Sequence, residues 1–178
     1  MEPFLLEENM KKLLLVLMCS LGIAFNALAF DQARFDEDTA FYNAHKDDAK
    51  AIITLLSVFN TDKGIRQAFE QHANGNVTKW QDTLNKMKKS DEYAQKINAL
   101  GYFGACHGAV SYAQAMWIAA PKGTKVAEWN DKDSFDLKSF NQSKAEFQKN
   151  YSDCKDAVQH APNKKDYEEE LIILGSEK

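Results

Sequence analysis

Proline and glycine are scarce in this sequence, with three and eight residues in 178, which argues against a disordered or low-complexity chain. No long apolar run follows residue 29, whereas crossing a bilayer takes roughly 20 apolar residues. Stable membrane insertion of that part is therefore not expected. Positive charge is also not in surplus. Setting aside Lys11, Lys12, Glu2, Glu7 and Glu8, the precursor's 22 basic and 26 acidic residues become 20 against 23. That leaves no cationic excess for neutralising phosphates and argues against a nucleic-acid partner.

Chemistry-bearing motifs are missing as well. The sequence has no G-x-S-x-G elbow, no phosphate loop and no S-x-x-K with its usual companions. It has no H-E-x-x-H, no C-x-x-C and no EF-hand loop. The histidines His45, His72, His107 and His160 never fall three or four residues apart. The acids around His45 (Asp36, Glu37, Asp38, Asp47 and Asp48) read as a solvated helix end. No metal and no cofactor is expected, and an enzyme is disfavoured, although a hydrolase without a recognisable motif stays open.

What is present begins at the N-terminus. Lys11 and Lys12 precede an apolar stretch from Leu13 to about Phe25, and Ala27-Leu28-Ala29 follows as a small-residue cleavage site. That order is the pattern of a secretory signal peptide. The expectation is a signal over residues 1–29, with Met10 as an alternative start because residues 1–9 are acidic, and a mature chain from Phe30. Residues 30–178 then form one helical domain of 149 residues, a size at which about two thirds of the unfolded surface can be buried. The expected location is periplasmic or secreted. Of three cysteines, Cys19 leaves with the signal. Cys106 and Cys154 remain, and an even count in an exported chain reads as a disulfide.

Helical periodicity dominates the remainder. A first helix is expected from about Asp36 to Val58, with a candidate break near His45. Asn60-Thr61-Asp62 supplies caps for a second, with Ile65, Ala68, Phe69 and His72 on one face. A third places Val77, Trp80, Leu84 and Met87 together and ends near Lys89. Ser90, followed by Asp91 and Glu92, is read as the start of a long helix over 91–119. The last runs from Asp136 to His160 with the stripe Leu137, Phe140, Phe147, Tyr151, Cys154 and Val158. Residues 125–134 and 167–174 are left open between helix, strand and loop. No sustained period-two alternation is found. The fold class expected is all-α, a bundle of five or six helices with one crosslink.

Two places stand out as candidate sites. Gly101, Gly104, His107, Gly108 and Ser111 form a small-residue segment, read mainly as close helix packing and otherwise as room for a ligand. Trp129 lies among charged residues and, with Trp80, is a candidate interface, since exposed tryptophans often anchor protein contacts. The size, the signal, the single disulfide and the lack of catalytic residues resemble the general run of periplasmic inhibitor and immunity proteins, a likeness of type and not of motif. The function expected is a small exported binding protein that occupies a protein partner in the envelope or outside the cell. The alternatives are a small-molecule or cofactor carrier built on the helix of residues 101–111, and the hydrolase.

Overall fold

The computed structural model describes residues 30–121, 129–131 and 135–167. The expected signal peptide lies outside the described residues, as do 122–128, 132–134 and the tail beyond Tyr167. By internal contacts the chain divides into two units, Glu37–Pro162 and a second formed by Met1–Asp36 with Asn163–Lys178. Among the described residues the regular elements are all helical: α1 (Gln32–Leu56), a 3-10 turn (Ser57–Asn60), α2 (Asp62–Ala73), α3 (Thr78–Ala94), α4 (Gly104–Ala119) and α5 (Phe135–Gln159). The fold is an all-α bundle with a Cys106–Cys154 disulfide.

In the second unit, Tyr167 meets Phe30 and Phe35 edge to face at 6.2 and 5.5 Å, and the two phenylalanine rings lie tilted at 5.7 Å. Helix α1 starts here, four residues before the expected Asp36. Asp31 accounts for the difference: its Oδ1 accepts the Arg34 N–H at 3.0 Å, which is the N-cap bond to the third helical residue. Nor does α1 break at His45. That ring packs on Phe41 at 4.4 Å, and its Nδ1 stands 3.4 Å from the Asp48 carboxylate one turn on.

The larger correction concerns residues 78–119. Ser90 opens no helix. It is fully buried inside α3, and its hydroxyl donates to the Met87 carbonyl at 2.7 Å. Thr83 donates likewise to the Lys79 carbonyl at 2.9 Å. Such back-bonding lets a hydroxyl sit inside a helix without an orphaned donor. The chain then leaves the helix for turns over residues 95–103. Asn98 Oδ1 accepts the Leu100 N–H at 3.0 Å, a local turn that competes with helix, while Ile97 and Phe103 anchor the segment in the core. Both anchors are buried, so the segment carries core residues although it is not helical.

Helix α5 follows the expected pattern: Leu137, Phe140, Phe147, Tyr151, Cys154 and Val158 are all buried. Its most extensive partner is α4. Cys106 and Cys154 are fully buried, with Cα atoms 4.7 Å apart. Glycine makes the contact close at one point. A Cβ on Gly108 would run into the Asn150 carboxamide of α5, 2.9 Å from its Cγ. Helix α1 is tied to α5 through phenols. Tyr42 donates to the Val158 carbonyl at 3.2 Å and Tyr151 to the Ile53 carbonyl at 3.0 Å, while Tyr102 donates to the His160 carbonyl at 2.6 Å. Carbonyls at a helix C-terminus lack intrahelical partners, and two of these phenols supply them. Burial pushes the Tyr151 pKa up.

The disulfide closes a loop across a sequence separation of 48. Loop-closure entropy assigns such a loop roughly 4 kcal/mol. Cys106→Ala with Cys154→Ala should therefore melt well below the parent protein while keeping helical circular dichroism in the cold. Two titratable thiols in the denatured, unreduced parent would overturn the crosslink.

A second expectation follows from Gly108. Gly108→Ala should cost about 1–3 kcal/mol by overpacking. In an Asn150→Ala background the same change should instead add roughly 1 kcal/mol through helix propensity. A double-mutant cycle by denaturant melts checks this, and additive costs would show that Asn150 is not what fills the space over Gly108.

Candidate functional site

The three helices α2, α3 and α4 meet around aromatic side chains, and the reason lies in their local patterns. On α2, Ile65 and Ala68 turn into the core, which leaves Phe69 and His72, one and four positions further, along the edge of the same face. On α3, Trp80, Leu84 and Met87 recur at helical spacing and are half-buried. On α4, Trp117 is 9% exposed, while the next residue, Ile118, is 73% exposed. Neighbours on a helix point about 100° apart, so one faces in and the other out.

These rings form a chain. Phe69 lies 4.7 Å from Trp117, Trp117 lies 5.8 Å from Trp80, and Trp80 lies 5.0 Å from the His72 imidazole. They floor an open hollow of about 370 Å³ lined by Phe69, His72, Trp80, Trp117 and Ile118. A second hollow of about 420 Å³ lies beside it, lined by Leu84, Met87, Lys88, Asp91, Gln114 and Ile118. Ile118 belongs to both, so the two form one groove with the isoleucine as a ridge between them.

The polar groups of the groove are mostly engaged. Asp91 accepts from Gln114 at 3.1 Å and from Gln95 at 2.9 Å. Elsewhere on α2 Arg66 pairs with Glu70 at 2.7 Å, Lys86 pairs with Asp82 at 2.7 Å on the side of α3 turned away from Trp80 and Leu84, and Lys79 of α3 donates to Gln67 of α2. Among the described residues no group of His, Cys, Asp and Glu is arranged to hold a metal. What the groove offers is apolar and aromatic surface with a charged rim, suited to binding.

Of the residues singled out from sequence, Trp80 lies in the groove. Trp129 does not share it: half-buried, it stands edge-on to Phe140 at 5.4 Å and 83°. The small-residue segment spans the turn and the first half of α4. Gly101 lies against Phe41, Gly104 against the Ala99 carbonyl, and Gly108 against Asn150, so protein atoms occupy the room the glycines leave. His107 is half-buried and Ser111 exposed, the serine donating to the His107 carbonyl at 3.2 Å. Trp117, His72 and Ile118 were not picked as site residues from sequence. The usable signal was Ile118 itself, an apolar residue off the buried face of α4 and adjacent to a tryptophan. No family model, no curated protein and no solved structure matches this chain.

Proposed function

We propose that the chain is an exported helical binding protein that acts by docking a protein partner on the groove between α2, α3 and α4, in the manner of an inhibitor or immunity-type protein. The observation that carries this reading is Ile118. A lone exposed aliphatic residue needs no explanation. One that is 73% exposed between two apolar hollows, one of them floored by Trp80 and Trp117, is a surface waiting to be covered. Interface anchors are enriched in tryptophan and are ringed by polar residues.

Export is supported on separate grounds. A buried disulfide is compatible with an oxidising compartment. Among the described residues no helix is long and apolar enough to cross a membrane. The small residues Ala27 and Ala29 suit signal peptidase, which leaves Phe30 as the first mature residue.

The groove reading is tested by cross-linking the mature protein in its own envelope fraction. Ile118→Asp should abolish the cross-linked product yet leave the melt unchanged to within about 0.5 kcal/mol, because the side chain is exposed. Trp117→Ala serves as the contrast and should lower stability by roughly 3–5 kcal/mol. An unaltered product with Ile118→Asp would remove the groove from the function. Export is tested by intact mass: the exported protein should begin at or near Phe30, and an uncleaved Met10 start would contradict it.

A further inference from the structure

We infer that the partner presents an amphipathic α-helix, with two apolar anchors seven residues apart and a carboxylate beside the anchor that enters the Leu84–Met87 hollow. This rests on the reading of the groove as a docking surface and says what chemistry fills it.

Spacing carries the first half. On α3 the first hollow sits at Trp80 and the second spans Leu84 to Asp91. At 1.5 Å rise per residue their centres are on the order of 10 Å apart along the axis. Side chains at i and i+7 of a helix stand the same distance apart. The residue between them, at i+3 or i+4, falls over the Ile118 ridge and has to be small. An elongated helix laid in a groove uses such anchors. A small ligand fits less well, since it would need most of its own surface buried, and both hollows open onto an exposed isoleucine.

Charge carries the second half. Lys88 lines the second hollow and is exposed, and among the described residues no hydrogen bond or ion pair engages its ammonium. The acidic group that faces the same hollow, Asp91, already accepts from Gln95 and Gln114. The donor left for an incoming group is the Lys88 ammonium, and a carboxylate is its complement. At the other end, His72 packs tilted against Trp80 with ring centroids 5.0 Å apart.

The test is selection of a displayed library of single-helix peptides, with surface positions randomised, on the immobilised mature protein. Enriched peptides should carry apolar residues seven positions apart, with Asp or Glu beside one of them. Their affinity should fall roughly thirtyfold against Ile118→Asp, the size of a hot-spot loss. It should fall about fivefold against Lys88→Glu, and exchanging the peptide's acid for Lys should restore binding to Lys88→Glu. Peptides lost with Ile118→Asp but lacking the spacing or the acid would overturn the helix and leave the docking groove standing. Peptides indifferent to Ile118→Asp would overturn the groove as well. Failure to enrich any peptide, with dodecanoate or phosphatidylglycerol vesicles shifting the tryptophan emission of a Trp129→Phe protein, would replace the helix by an amphiphile or a membrane surface.

Discussion

Cys106 and Cys154 bring the backbones of α4 and α5 to a Cα separation of 4.7 Å, and the rest of the larger unit is arranged around that approach. Packed helices keep their axes about 8–10 Å apart, a distance set by the side chains between them, and Cα atoms sit about 2.3 Å from each axis, so this Cα separation marks where α4 and α5 face each other directly. Around the bond, the facing residues of α4 are accordingly small: Ala109 and Ala113 are fully buried, and Gly108 yields its space to Asn150. A glycine inside a helix costs about 1 kcal/mol relative to alanine, so Gly108 is tolerable only where the gained contact offsets it. The crosslink and the glycine are thus two separate contacts on the same pair of helices.

With α4 pressed on α5, its other flanks must be covered by α2 and α3, since α4 is apolar nearly all round and such a helix belongs at the centre of a bundle. Trp117 is covered in this way, by Phe69 of α2 and Trp80 of α3. The cover fails at the last turn. Phe69, Trp80 and Leu84 stand to the sides of Ile118 without closing over it. The groove is therefore the unclosed end of the same packing that the disulfide organises. Its floor, Trp117, contributes to stability while its ridge, Ile118, does not, and the two adjacent residues can be separated by substitution.

How far the sequence speaks for this arrangement varies by element. Helix α5 was legible throughout because its apolar steps of three, four and seven run from Leu137 to Val158, nearly the whole of the helix. The cysteine pair was legible because only two cysteines follow residue 29. The division between α3 and α4 was not. Ser90-Asp91-Glu92 has the local chemistry of a helix start, and only burial decides that the Ser90 hydroxyl turns back to Met87 instead. Asp31 is obscured for the converse reason: the three acids Asp36, Glu37 and Asp38 draw the expected start away from Asp31, whose carboxylate accepts the Arg34 backbone N–H.

The groove was legible only in pieces. Trp80 and Trp117 are 37 positions apart, and nothing local says that their rings meet at 5.8 Å. Each reads, on its own helix, as one more core residue. Trp129 attracted notice because its sequence neighbours are charged, yet its ring packs on Phe140. Neighbours in sequence report exposure poorly where a helix places them on different faces. Ile118 was the better clue for the same physical reason. Next to Trp117 on a helix, at most one of the two can face the core squarely, and the bulkier ring takes that place. The isoleucine is then committed to the outside by its neighbour, and its exposure is a consequence of α4 packing and not an accident of the surface.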